Sequence, residues 1–119
     1  MKAYTDLEQS KKLAEILPLE SADMSWVSNG LGKPFARTIP IKGDPEELCA
    51  CWSLTALLAV LPSVIKRKEK RMFLTLEKAG AYNLYYKSSN RLDELWETKE
   101  EPVDACVAMI ENLHELKIL

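Results

Sequence analysis

The sequence predicts an α+β fold, in which about three helices pack on an antiparallel β-meander of about three strands, with a possible short hairpin nearer the N-terminus. Two patterns support this class: apolar residues recur with helical spacing near both ends of the chain, and they alternate with other residues over 72–87. The chain has 119 residues, of which 47% are hydrophobic and 29% charged. This length and composition are typical of one globular domain, here 1–119, and exclude a disordered chain.

The first helix is predicted over 6–17. Thr5 and Glu8 have the spacing of a capping box, in which two side chains three residues apart satisfy each other's backbone donors. Residues with helical spacing then define the buried face: Leu7, Ser10, Leu13, Ala14 and Leu17. Pro18 ends the helix, because the residue before a proline is disfavoured in helical geometry.

An irregular hairpin is predicted after the first helix. Residues 24–27 have the composition of a short strand, and residues 28–32 supply turn residues that tolerate positive φ. Residues 35–41 fit a return strand. Pro34 and Pro40 would confine this second strand to the edge of a sheet.

The start of the second helix has two interpretations. The segment 43–47 has the Asp-Pro-Glu pattern of a helix N-terminus, and Ser53 offers a second start before leucines at helical spacing. Either one helix spans 45–61, or a short turn precedes a helix at about 52–61. Pro62 ends the helix in both cases.

The central strands follow a polar connection that is predicted at 66–71. Apolar residues alternate with others over 72–77 and again over 82–87, and Ala79 and Gly80 turn the chain between these segments. This pattern predicts a β-hairpin.

The last part of the chain is predicted to hold a turn, an ambiguous segment and a helix. Residues 88–90 supply the turn, and residues 92–98 fit either a third strand or a helical turn. Pro102 opens the final helix, with acidic residues near its positive end. Its buried face is predicted to contain Val103, Cys106, Val107, Ile110 and Leu113.

Charge is distributed unevenly, although the net charge of −2 argues against a protein that coats DNA. The basic excess lies in one segment, with Lys66, Arg67, Lys68, Lys70 and Arg71. Aromatic residues follow in the hairpin, among them Phe73, Tyr82, Tyr85 and Tyr86, and basic groups beside aromatic rings are one signature of single-strand binding surfaces. The five basic residues and Tyr85 are therefore the candidate binding residues. A solvated turn, partly compensated by the acidic last helix, is the favoured interpretation.

Four side chains are candidate metal ligands: Cys49, Cys51, Cys106 and His114. Their spacing is poor for a zinc site. Cys-x-Cys is shorter than the usual Cys-x₂₋₄-Cys zinc knuckle, and Cys106 and His114, eight residues apart on one predicted helix, do not point in the same direction. We expect buried, inert cysteines, and no metal or cofactor. We also expect no enzymatic activity, since the sequence has one histidine, no glycine-rich phosphate loop and no nucleophile elbow.

The sequence also bears on the compartment and on the tryptophans. The longest strongly apolar stretch, 54–61, is much shorter than the roughly 20 residues of a membrane span, and the N-terminus has no leader-like apolar region. Together with an odd number of cysteines, this predicts a cytoplasmic protein with reduced thiols and no membrane partner. Trp26, Trp52 and Trp96 are expected in the core more than at an interface.

Four segments of the sequence serve as landmarks: 8–17, 21–24, the Cys-Trp-Ser-Leu motif with the leucines and proline that follow it over 51–62, and 102–106. They resemble a family of small uncharacterised proteins encoded by gut anaerobes and by their prophages and mobile elements. The resemblance implies a second helix that starts near Cys-Trp-Ser, and a strand at 92–98. The family has no established activity, so the resemblance assigns no catalytic residue.

The expected function is that of a non-enzymatic accessory protein of a mobile element, which binds another macromolecule, in first place an unknown protein. The alternative is a weak binder of single-stranded nucleic acid that uses the segment 66–71 and the tyrosines of the hairpin.

Overall fold

The computed structural model describes residues 1–28, 32–38, 47–88 and 94–119. Three α-helices and seven strands lie within these ranges, which confirms the α+β class. In chain order they are α1 (Leu7–Ile16), β1 (Met24–Val27), β2 (Phe35–Arg37), β3 (Glu47–Cys51), α2 (Leu54–Val60), β4 (Val64–Arg67), β5 (Lys70–Ala79), β6 (Ala81–Lys87), β7 (Glu94–Lys99) and α3 (Pro102–Glu115).

The strands form two antiparallel sheets, with the orders β2-β1-β3 and β4-β5-β6-β7. The second sheet contains the predicted meander as β5, β6 and β7, and Gly80 turns the chain between β5 and β6 with a φ of 76°. The predicted N-terminal hairpin is present as β1 and β2, in which Trp26 lies opposite Ala36. Residues 29–31 of its turn and 39–41 of its return strand lie outside the described residues.

One cluster of buried side chains joins the helices to the four-stranded sheet. Helix α3 packs on β6 and β7, helices α1 and α2 pack against α3, and β3 packs against α1. All five residues predicted for the buried face of α3 are buried. The sheet contributes its own apolar set to the same cluster: Ile65, Met72, Leu84, Tyr86 and Leu95.

The cap of α1 differs from the prediction. Asp6 is the N-cap residue, and its carboxylate and the Gln9 side chain form the capping box. Thr5, the predicted cap, is fully buried, and its hydroxyl accepts a hydrogen bond from the Trp52 backbone N–H. The prediction failed because a threonine and an aspartate stand next to each other, and tertiary contacts decide which of them caps the helix.

The prediction for the segment before α2 was also wrong. Residues 47–51 form strand β3, so one helix over 45–61 is excluded, and the short turn of the second interpretation is a strand over its described part. This strand is fixed by pairing with β1, which sequence periodicity does not report. The helix starts where the resemblance implied, after Ser53, whose hydroxyl accepts from the Ala56 N–H. Residues 43–46 lie outside the described part of the chain.

The segment 66–71 is a strand–turn–strand unit and not a polar connection. Its two ends belong to β4 and β5, and Lys68 and Glu69 form the turn with φ values of 52° and 65°. Two adjacent residues with positive φ are the geometry of a tight hairpin turn, although neither is the glycine or asparagine that signals one. The ambiguous segment 92–98 is a strand over its described part, since β7 begins at Glu94; residues 89–93, and with them most of the predicted turn, are not described.

Candidate binding surface

The four-stranded sheet has two chemically different faces. Side chains of the inner face point towards α3, and the opposite, outer face carries mostly exposed side chains. Strand alternation and register place three groups on the outer face. The basic pair Lys66 and Arg71 lies next to the β4–β5 turn. The apolar and aromatic residues lie in the middle, where Lys87 lies opposite Phe73: Val64, Phe73, Tyr85 and Trp96. The polar residues lie at the far end: Glu77, Asn83 and Thr98.

The middle of the outer face exposes large apolar side chains. Phe73 and Trp96 are each 47% exposed, and Val64 is 44% exposed. Val64 and Phe73 are direct cross-strand neighbours, whereas Trp96 lies on the edge strand β7. An antiparallel sheet that faces water on one side usually carries polar residues there, so this apolar group is an unusual feature of the surface.

Tyr85 supports the exposed tryptophan. Its ring stacks on that of Trp96 with a centroid distance of 4.6 Å and an interplanar angle of 11°. The Lys87 ammonium lies 4.9 Å from the centre of the Tyr85 ring, and the Tyr85 hydroxyl donates to Glu77. Tyr85 is therefore only 4% exposed, and it can position Trp96 for a ligand without presenting its own ring.

The basic segment does not form one patch. Lys66 lies opposite Arg71, and both belong to the outer face. Arg67 lies opposite Lys70, and this pair belongs to the inner-face side of the same hairpin. Lys68 is in the turn itself. The five predicted basic residues are thus divided between two faces and a turn, and two of them share the outer face with Tyr85.

The polar end of the outer face is internally hydrogen-bonded. The Trp96 indole N–H donates to the Thr98 hydroxyl at 2.6 Å, and this hydroxyl donates to the Asn83 side-chain oxygen at 2.7 Å. These bonds fix the edge of the Trp96 ring on the side away from the basic residues. The ring is consequently held by stacking and by hydrogen bonding while about half of it stays exposed.

The other candidate residues are not gathered into a site. Cys51 and Cys106 are buried, and burial raises the pKa of the Cys106 thiol to about 12, which leaves it protonated and unreactive. Cys49 is partly buried, and burial also raises its pKa. His114 is exposed, with Nδ1 3.2 Å from the Leu119 carbonyl oxygen. Among the described residues, no three His, Cys, Asp or Glu side chains are arranged to hold a metal ion.

The remaining aromatic residues are mostly structural. Trp52 and Tyr86 are fully buried, and the Tyr86 hydroxyl donates to the Pro62 carbonyl. Trp26 is partly buried and donates to the Thr5 carbonyl. Tyr82 has the inner-face parity on β6, and the Lys78 ammonium lies 5.5 Å from its ring centre. Of the predicted hairpin tyrosines, only Tyr85 therefore belongs to the outer face.

Two grooves elsewhere on the molecule have volumes of about 420 Å³ each. A polar groove between α1 and α3 contains the ammonium of Lys2, which forms ion pairs with Asp6 and Asp104. A second, apolar groove lies between the end of α1, helix α2 and Leu119. No helix in the described ranges is long and apolar enough to cross a membrane.

Sequence reasoning missed the contribution of Lys87 and Val64 to this surface, and it assigned Trp96 to the core. The signal that places Phe73 and Lys87 outward is the period-2 alternation in the hairpin, in which their neighbours Met72 and Tyr86 face inward. Comparisons with protein-family models, with curated proteins and with solved structures gave no match.

Proposed function

We propose that this protein is a non-enzymatic binding module whose contact surface is the outer face of the four-stranded sheet. The observation that carries this proposal is the group of half-exposed apolar side chains, Val64, Phe73 and Trp96, on a rigid element. Exposed apolar groups of this kind, bordered by polar residues, are typical of surfaces that bind other macromolecules.

The chemistry of the face supports binding more than catalysis. Tryptophan and arginine are enriched among the residues that dominate binding energy at interfaces, and the face exposes Trp96 and Arg71. Full burial of an exposed phenylalanine side chain contributes about 1.5–3 kcal/mol, so a partner that covers Phe73, which is 47% exposed, gains roughly half of that amount. The face has no histidine or cysteine that could act as a nucleophile or general base.

Two classes of partner fit this surface. A protein segment with apolar and acidic side chains would match the apolar middle and the basic end, as the sequence led us to expect. Single-stranded nucleic acid is the second class, and the specific observation in its favour is that exposed rings and cations share one face. The resemblance to proteins of mobile elements suggests an accessory role in the bacterial cytoplasm.

The test is capture of partners from a lysate of the native host with the tagged protein and two variants. Phe73→Ser removes the centre of the outer face, and Leu19→Ser is the matched control, because Leu19 is 51% exposed in a short 3₁₀ helix that is not part of the sheet. We expect the wild type and Leu19→Ser to retain the same specific partner and Phe73→Ser to lose it. Retention of every partner by Phe73→Ser would refute the outer face as the contact surface.

A further inference from the structure

We propose that the partner of the outer face is single-stranded nucleic acid, with bases stacked on Trp96 and Phe73 and phosphates held by Lys66, Arg71 and Lys87. This inference rests on the proposed function and decides between its two partner classes. It follows from three properties of the face: the geometry of the exposed rings, the arrangement of like charges and the position of the acidic helix.

The two exposed rings are spaced as separate stacking platforms. They lie on β5 and β7, two strand spacings apart, and they are offset by two residues along the strands. Standard sheet dimensions then place their Cα atoms about 12 Å apart. Backbone positions separated in this way suit two bases of an extended strand, one for each ring. Stacking requires unpaired bases, because the rings lie on a broad sheet face that does not enter the groove of a duplex.

The basic residues form an arrangement that an anion would relieve. Lys66 and Arg71 are directly opposite each other on β4 and β5. Like charges directly opposite across two strands destabilise a sheet. Neither Lys66 nor Arg71 forms an ion pair with any residue that the structure describes. A phosphate between the outer pair would offset this repulsion with charge-assisted hydrogen bonds.

The acidic C-terminal helix does not neutralise this face. From the sequence, that helix was expected to compensate the basic segment, yet α3 packs on the inner face of β6 and β7. Its ionised Asp104 forms an ion pair with Lys2, on the α1 side of the molecule. Among the side chains that the structure describes, the outer-face carboxylate is that of Glu77, which accepts a hydrogen bond from the Tyr85 hydroxyl. In the strand register Lys87 lies opposite Glu94, which has the same parity as Trp96. Lys66 and Arg71, on the outer face, therefore lie on the side of the sheet opposite to α3 and its carboxylates.

The experiment is fluorescence anisotropy of the full chain with labelled twelve-nucleotide oligo-dT and oligo-U and with a twelve-base-pair duplex, at 50 and 500 mM salt. Three phosphate contacts predict a slope of log affinity against log salt of about −2, which is about a 100-fold loss between the two concentrations. We expect both single strands to bind at 50 mM salt with a micromolar Kd or tighter, and the duplex to bind more weakly.

Two variants separate the stacking and the electrostatic parts. Trp96→Leu keeps an apolar strand residue but removes the ring, and should weaken binding by about 5-fold or more without changing the salt slope, while Trp96→Phe restores part of the affinity. Arg71→Ser should reduce the magnitude of the slope by about 0.7. Lys11→Ser, on the exposed side of α1, is the matched charge control and should leave the affinity within about 2-fold.

Three outcomes would overturn the inference: no saturable binding of either single strand at 50 mM salt, equal binding of duplex and single strand, or full affinity in folded Trp96→Leu. Circular dichroism and thermal unfolding confirm the fold of each variant. If oligonucleotides fail to bind, but the wild type captures a nuclease-resistant partner that Phe73→Ser does not capture, the proposed function stands with a protein partner. If Phe73→Ser alters neither partner capture nor oligonucleotide binding, both proposals are refuted.

Discussion

A buried hydroxyl at the N-terminus connects α1 to the loop before α2, and its removal is the most informative test of the fold. The Thr5 hydroxyl accepts a 3.1 Å hydrogen bond from the Trp52 backbone N–H and shares a 2.7 Å hydrogen bond with the Ser10 hydroxyl. All three residues are fully buried. Thr5→Val has nearly the same shape, so it removes the hydrogen bonds without opening a cavity.

The expected cost of this substitution comes from the donor that it leaves without an acceptor. The Trp52 N–H would stay buried and unpaired, which costs about 1–3 kcal/mol. The substitution also removes the hydrogen bond between Thr5 and the Ser10 hydroxyl and the 3.6 Å contact of the Thr5 hydroxyl with the Cys51 sulfur. We therefore expect Thr5→Val to lower the free energy of unfolding by about 1–3 kcal/mol. The double variant Thr5→Val/Ser10→Ala should cost less than the sum of the two single variants, because they share one hydrogen bond.

Urea denaturation followed by tryptophan fluorescence measures both quantities. Thr55→Val is the matched control, because Thr55 is exposed on α2 and an exposed substitution changes stability by no more than about 0.5 kcal/mol. If Thr5→Val costs no more than Thr55→Val, or if the double variant is strictly additive, the hydrogen-bonded role of the Thr5 hydroxyl is refuted.

Three further predictions concern stability. Leu57→Ala should lower the free energy of unfolding by about 2–5 kcal/mol in urea denaturation, because Leu57 is fully buried. Leu58→Ala should cost less, because Leu58 is only partly buried; the reverse order would contradict the assigned buried face of α2. Glu69→Gly should raise the melting temperature, because Glu69 has a φ of 65° that glycine adopts without strain. The free energy of unfolding should increase by up to about 1 kcal/mol, and a lower melting temperature would contradict this prediction. Burial opposes the ionisation of Asp104, but hydrogen bonds, led by that from Lys2, outweigh burial and hold the pKa of this carboxyl below 3.8. The ionised carboxylate therefore contributes stability above pH 3.8, and this contribution is lost as the pH falls through the lowered pKa. Asp104→Asn should therefore reduce stability at pH 7 and weaken its decrease in acid, and an unchanged pH profile of the melting temperature would disprove the contribution.

Elements with strong internal patterns could be predicted from the sequence. The buried face of α3 and the hairpin over 72–87 carry uninterrupted periodicity, and Gly80 adopts the positive φ that a turn requires. In these segments the local preference and the tertiary environment agree, so the pattern alone predicts the structure.

Elements without an internal pattern could not be predicted. Strand β3 follows a segment with the signals of a helix start, and only its pairing with β1 makes it a strand. Strand β4 is hidden because its second half is basic, and its turn contains no glycine or asparagine. In both cases the deciding interaction is a backbone ladder with another segment, which leaves no mark on the residue types.

The candidate surface was predicted in part for the same reason. Tyr85, Lys66 and Arg71 were identified from composition, and the structure places them on one face. Composition did not reveal that Arg67 and Lys70 have the opposite parity, or that Trp96 covers Tyr85. Residue types therefore indicated the chemistry, and the strand register determined which residues share a face.

Strand propensity is the simplest alternative explanation for the aromatic residues of the outer face. Aromatic residues favour strands whether or not they bind a ligand, so Phe73 and Trp96 considered alone are compatible with a purely structural role. This explanation does not account for the direct opposition of Lys66 and Arg71, which destabilises the hairpin that contains them. The proposed nucleic-acid strand would account for both features, because its bases would stack on the exposed rings and its phosphates would offset the repulsion within the basic pair.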